Sequence, residues 1–168
     1  MRLMDTLLAF PGLLLAMGIV AVLGPSSINA MIAVAIVSIP TFARVARSSM
    51  LTQKQMDYVL AARAGGAKTN RIIFRSILPN AIPVVLVQIA ISVAFAVLVE
   101  AALSFLGLGT QPPDPSWGSM LFTSRKFLRQ AWWYGVFPGL FLTMLIIGLN
   151  LFSEAMRDAL DPSRRHLL

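Results

Sequence analysis

Residues 81–106 read AIPVVLVQIAISVAFAVLVEAALSFL, a run of 26 positions in which Glu100 is the one charged side chain. A helix of that length extends about 39 Å, enough to cross a hydrocarbon core of about 30 Å. The bilayer is the solvent this segment expects. Three further apolar stretches have the same character: Leu7 to Leu23, Ile28 to Ala43, and Trp132 to Phe152. Composition agrees, because 57% of the 168 residues are hydrophobic and 12% charged, with a mean hydropathy of +0.77. That leaves too little polar surface for a water-soluble domain. The expected fold is all-α, a polytopic transmembrane helix bundle of about four spans that forms one domain over residues 1–168.

The first two stretches are separated by Gly24-Pro25-Ser26-Ser27, a turn sequence that makes them a helical hairpin. The first is longer than the apolar core of a secretory signal and runs straight into a second apolar segment, which argues against a cleaved leader. Pro11, Pro40, Pro83 and Pro138 fall in or near the spans, and kinks are expected there. The chain has no cysteine, which removes disulfide frameworks, thiolate nucleophiles and cysteine metal sites.

A net charge of +7 suggests nucleic acid in a soluble protein, but in a membrane protein the position of the charges decides. Between the second and third stretches lie Arg44, Arg47, Lys54, Arg63, Lys68, Arg71 and Arg75 against one acid, Asp57. The positive-inside rule places this loop in the cytoplasm. Four spans then put both termini on the same side, with Arg2 at one and Arg157, Arg164 and Arg165 at the other. Eleven of the fourteen basic residues face inward, and Arg125, Lys126 and Arg129 remain outside. Residues 107–130 are extracytoplasmic in this reading, and Trp132, Trp133 and Tyr134 open the last span at the outer headgroup layer. Lipid is the expected partner of the spans, and nucleic acid is not a partner.

The loop over residues 44–80 reads as folded structure. Thr52-Gln53-Lys54-Gln55 has the form of a capping box, predicting a helix from about Gln53 to Ala64. Met56, Val59, Leu60 and Arg63 share one face of it, with Asp57, Ala61 and Ala64 towards another. Gly65-Gly66 supplies a left-handed helix stop, and a second short helix is expected from Thr69 to Leu78, ended by Pro79. Glu100 sits inside a span, where an ionised carboxylate faces a bundle interior or pathway rather than lipid; a purely structural hydrogen bond fits equally. Ser104 with Gly107, and Gly135 with Gly139, have the spacing of close helix contacts. His166, in a basic tail, is assigned no role, and Asp161-Pro162 reads as a helix stop.

The stretch Asp57-Tyr58-Val59-Leu60-Ala61-Ala62-Arg63-Ala64-Gly65-Gly66-Ala67, followed by Arg71 to Asn80, resembles the EAA loop of binding-protein-dependent ABC importer permeases. Ala61, Ala62, Gly66, Leu78 and Pro79 match its spacing, while Leu60 stands at the glutamate position and Ser76 at the isoleucine position. Glu100 to Gly109, Gln111 to Gly118, and Leu149-Asn150-Leu151 leading to Arg157 through Pro162 are similar to the dipeptide, oligopeptide and nickel subfamily. That subfamily usually has six spans. This sequence opens at what resembles the third, so two N-terminal helices of the pattern are not represented.

The resemblance implies a permease that couples to a cytoplasmic ABC ATPase through Asp57, Tyr58, Ala61, Ala62, Arg63, Gly65, Gly66 and Ala67. It also implies a second homologous permease, an extracytoplasmic solute-binding protein, a peptide substrate and the inner membrane of a prokaryote, with ATP and Mg held by the ATPase. No catalytic residue and no metal or cofactor site is expected in this chain. It lacks a phosphate loop, since Gly65-Gly66-Ala67-Lys68 has neither the spacing nor a preceding strand. A membrane-embedded enzyme needs paired acids or a nucleophile cluster, and Glu100 stands alone. Three alternatives stay open: a permease remnant that does not transport, a structural or channel protein, and nickel or another small solute in place of peptide.

Overall fold

A computed structural model of the protein describes residues 1–160, and the tail positions Asp161, Pro162, Arg164, Arg165 and His166 lie outside them. The described chain is all-helical: α1 Arg2–Leu8, α2 Gly12–Leu23, α3 Ser27–Lys54, α4 Asp57–Ala64, α5 Thr69–Ile72, α6 Leu78–Phe105, α7 Trp117–Ser124 and α8 Trp133–Leu160. A π-helical turn, Ile73–Ile77, joins α5 to α6. Three segments are long and apolar enough to cross a bilayer, with a fourth if α1 and α2 count as one broken span.

The first expected span is bent rather than merely kinked. Pro11 takes an extended conformation, φ −56° and ψ 125°, and α1 and α2 diverge by 93°. Proline offers no N–H to the ladder and pushes the residue before it out of the helical region, so the helix stops at Leu8 and restarts at Gly12. The 12 residues of α2 reach only about 18 Å. The turn into α3 is closed by side chains: the Ser26 hydroxyl accepts from the Asn29 backbone N–H at 3.1 Å, and the Asn29 amide donates to Leu23 and Gly24 carbonyls at 3.0 and 2.9 Å.

Helix α3 then runs through Pro40 to Lys54, eleven residues beyond the expected end of the span at Ala43. The basic residues Arg44, Arg47 and Lys54 therefore ride on a helical extension. Near its middle Arg44 meets Asp5 of α1 at 2.7 Å, an exposed pair that contributes little in water.

The bundle core is built where α2, α3 and α6 meet: Ala16 and Val20, Ala30, Ala33 and Val34, Val99 and Leu103. Three of the seven are alanines, letting backbones approach closely, as membrane helices require when lipid removes the hydrophobic drive to associate. Elsewhere large side chains such as Leu14, Val22, Ile28, Phe95, Phe141 and Leu151 lie on the surface. An apolar exterior of this extent belongs against lipid or another membrane subunit.

Residues 107–130 do more than connect. Ser116 accepts from the Ser119 N–H at 3.1 Å while the Ser119 hydroxyl accepts from the Ser116 N–H at 3.3 Å, a capping box that starts α7. Helix α7 lies against α6 and α8 through glycines. A Cβ on Gly118 would collide with the Ala101 carbonyl and come within 2.8 Å of the Ser104 Cβ, and one on Gly135 would come within 2.9 Å of the Ser124 hydroxyl. Of the spacings seen in the sequence, Ser104 and Gly135 make close contacts. Gly107 does not: it has open space but φ +80°, and it ends α6 in a left-handed turn where Leu108 N–H donates to Leu103 at 2.9 Å.

Gly118→Ala should lower the stability of the detergent-solubilised protein by about 1–3 kcal/mol, read as a fall in the thermal midpoint. Gly148→Ala on α8, where a Cβ meets nothing within 4 Å, should leave the midpoint unchanged or raise it.

Candidate functional site

The loop between α3 and α6 is a small folded unit. Val59 of α4 is fully buried and packs with Ile72 and Ile77, surrounded by Met50, Ala62 and Ala67. These residues come from α3, α4, α5 and the π turn, so the loop has a core of its own. Tyr58 fastens its edge by donating from its hydroxyl to the Gln53 side-chain oxygen at 2.6 Å. Asn80 donates to the Tyr58 hydroxyl at 3.5 Å and to the Ser76 carbonyl at 2.8 Å. The buried Ser49 hydroxyl donates to the Ala81 carbonyl at 3.4 Å, tying α3 directly to α6.

Two sequence expectations change here. Thr52 does not cap a helix: it lies within α3 and its hydroxyl donates back to the Ser48 carbonyl at 3.0 Å. A cap needs extended backbone, which appears only at Met56, φ −73° and ψ 147°, and α4 starts at Asp57 without a side-chain cap. Nor does Pro79 break the second helix. The π turn over Ile73–Ile77 shifts the hydrogen-bond register just before it, and Pro79 follows that shift in the opening residues of α6. The second loop helix and the following span are one helical rod of 37 residues.

The glycine hinge is as the sequence predicts. Gly66 has φ +76°. Its N–H donates to Arg63 at 2.9 Å and the Ala67 N–H donates to Ala62 at 3.1 Å, a paired closure of the α4 carbonyls. Ala67 then packs beside Ala62 on the loop core.

The expected coupling residues divide into two groups. Ala62 and Ala67 are half-buried and face the loop core, whereas Asp57, Tyr58, Ala61, Arg63, Gly65 and Gly66 are exposed. Leu60 is 52% exposed and shares the outward side of α4 with Ala61 and Ala64. Phe74, on the π turn, is 68% exposed and was not marked by any sequence signal beyond its apolarity. Beneath the glycine turn a cavity of about 720 Å³ is lined by Lys68, Arg71 and Arg75 together with the turn itself.

Glu100 lies far from this loop along α6, half-buried. Its Oε1 accepts from the Ser104 hydroxyl at 2.7 Å and from the Thr110 hydroxyl at 3.4 Å, while Ser104 accepts from the Thr110 N–H at 3.0 Å. The carboxylate borders a groove of about 740 Å³ between α3 and α6 and a smaller cavity of about 400 Å³ beside α7. No group of three or more metal-ligating side chains occurs among the described residues.

Residues 1–166 match the family described as binding-protein-dependent transport system inner membrane component. Among curated proteins, the di/tripeptide transport system permease protein DppC of Pseudomonas aeruginosa is 48% identical over 166 residues, 99% of this chain and 55% of that protein. The dipeptide transport system permease protein DppC of Alkalihalophilus pseudofirmus is 46% identical over 98% of this chain and 54% of its own length. A probable D,D-dipeptide transport system permease protein of Escherichia coli K12 is 43% identical over 96% and 54%. The chain thus spans about half the length of the curated relatives it matches.

The two hinge glycines should respond differently to alanine. Gly65, at φ −75°, accepts a Cβ in ordinary contact with the Ala61 and Ala62 carbonyls at 3.5 and 3.6 Å, so Gly65→Ala should leave the loop unchanged. Gly66→Ala forces a side chain to positive φ at a cost of about 1 kcal/mol, and amide exchange at Ala67 should quicken about fivefold.

Proposed function

The chain belongs to the family of binding-protein-dependent transport system inner membrane components, and from that premise we propose that it is a permease part of an ATP-driven peptide importer, coupled to a cytoplasmic ABC ATPase through α4. The observation that carries this reading is the folded loop with its own core, which turns Leu60, Ala61 and Ala64 outward between two membrane helices. A topology signal needs only positive charge. A mechanical coupler needs a rigid body, and the Val59, Ile72 and Ile77 cluster with the Tyr58 clasp makes one.

In this reading α4 docks in a groove of the ATPase by its outward face, where Asp57, Leu60, Ala61 and Arg63 lie, and small Ala61 lets the surfaces close. Ala62 and Ala67 serve the docking indirectly by seating α4 on the loop core, and Gly65 and Gly66 turn the chain away from the interface. Movement of α4 passes to α3 through Met50 and Gln53 and to α6 through Ile77 and Asn80. ATP and Mg are held by the ATPase. A second permease completes the pathway, an extracytoplasmic binding protein delivers the solute, and Glu100 faces the pathway. Peptide is the substrate class, supported by the di/tripeptide and dipeptide permeases that match almost the whole of this chain. The loop over residues 44–80 is cytoplasmic in the inner membrane of a prokaryote.

Orientation is tested in the cysteine-free chain with single cysteines at Ser48 and Gln130, both exposed. They should react with impermeant maleimide from opposite sides of the membrane, and labelling from one side overturns the topology. Coupling is tested in the assembled importer. Leu60→Asp and Ala61→Trp should insert normally, weaken ATPase association about tenfold or more, and leave ATP hydrolysis uncoupled from uptake. Arg71→Gln with Arg75→Gln should keep the ATPase bound. Full association and uptake in both α4 variants overturns the coupling role.

A further inference from the structure

Glu100 is more than a wall of the groove. Both of its hydroxyl donors, from Ser104 and Thr110, converge on one oxygen, Oε1. The other, Oε2, has no hydrogen-bond partner among the described residues, and yet it is not a buried orphan. It is therefore accessible, on a residue that borders two cavities. Glu100 is the residue shared by the groove between α3 and α6 and the cavity beside α7. The groove walls are otherwise apolar, built from side chains such as Met31, Ile39, Phe42, Ile89 and Val93, with Ser38 and Ser92 as the polar exceptions. The cavity beside α7 is lined in part by Trp117, whose ring stacks on Phe141.

A carboxylate at the wall of an apolar groove on a membrane helix pair calls for a positive partner, because its charge is costly in hydrocarbon unless paired. Arg125, the next cation after it in sequence, lies instead over the Phe105 and Phe122 rings at 4.9 and 4.4 Å. Among the described residues the carboxylate makes no ion pair. We propose that Oε2 of Glu100 is a subsite for the α-ammonium group of the transported peptide, making Glu100 a specificity residue of the pathway. The group is cationic at neutral pH, since α-amino pKa values lie near about 7.7–8.0. The apolar groove takes the peptide's side chains, and its volume of about 740 Å³ lies within the usual range of about 300–1,000 Å³ for small-ligand sites. The hydroxyls of Ser104 and Thr110 hold the carboxylate in place by occupying the oxygen that the ligand does not use. The inference rests on the importer reading above and assigns its substrate contact.

The test uses the assembled importer carrying Ala96→Cys, one helical turn from Glu100 on the groove wall, the sole cysteine of this chain. Saturating glycylglycine should slow maleimide labelling at position 96 at least threefold, and N-acetylglycylglycine, which lacks the ammonium, should not slow it. Glu100→Gln keeps an acceptor for Ser104 and Thr110 but removes the charge. It should abolish protection by glycylglycine while thermal stability and ATPase association stay as in the parent. Glu100→Asp keeps the charge and should retain the preference for the free amine. Equal protection by both peptides, protection by neither, or undiminished protection in Glu100→Gln overturns the subsite. The comparison of the two peptides on the parent stands even where a variant fails to assemble. Absence of dipeptide uptake by the unsubstituted complex overturns the importer reading, and the subsite with it.

Discussion

Helices α3 and α6 are held side by side at both ends, and the rest of the molecule is arranged around that contact. At one end Ala30, Ala33 and Val34 meet Val99 and Leu103. At the other Ser49 donates to the Ala81 carbonyl, and Met50 joins the loop core. Along their shared flank the two helices form the groove that Glu100 borders. Alanine makes the first contact possible, since a larger side chain at Ala30 or Ala33 would separate the backbones and leave α2 without a seat. The same separation at the Ser49 end would open the loop core, because Met50 and Ile77 reach it from the two rods. Groove and loop thus share one structural cause.

The class of the fold is legible in the sequence because hydrocarbon imposes a length and an apolarity that soluble cores do not. But for Leu106 and Trp132, residues 81–106 and 132–152 fall within α6 and α8. What the sequence hides is the continuation of helices past the membrane. The end of α3 at Lys54 carries no glycine or proline, so hydropathy marks where the apolar face stops and not where the hydrogen-bond ladder stops. Thr52 shows the converse, a capping signal overridden because the ladder of a longer helix already runs through it. Pro79 misleads for a third reason: the chain stays helical through it, with a π turn just before it.

The candidate site is half legible for a similar reason. Gly66 announces its turn because one residue type tolerates the required φ. The Ala61 and Ala62 pair does not announce that one alanine faces outward and its neighbour faces the loop core, since that depends on the rotation of α4 about its axis. Val59 sets the rotation by being fully buried, and its burial depends on Ile72 and Ile77, thirteen and eighteen positions along the chain. Likewise Glu100 is visible as an isolated acid, whereas the convergence of Ser104 and Thr110 on one of its oxygens needs the turn at Gly107 to bring Thr110 back over the helix.

In the proposed importer, the π turn would give the coupling its mechanical sense. A chain that broke at Pro79, as the sequence suggests, would leave the loop attached to α6 by a flexible joint, and displacement of α4 would dissipate there. With the register shifted over Ile73–Ile77 the backbone stays helical from Thr69 to Phe105. The buried Ile77 lies in this rod while packing on Val59 of α4. A force on the outward face of α4 is therefore applied to the rod a short way from its end, and the rod carries Glu100 some 23 residues further on. Two sites with no side chain in common are joined by one continuous backbone, so a tilt of α6 that reshapes the groove at Glu100 also displaces the loop. That reciprocity is what a pathway opened by a remote ATPase requires.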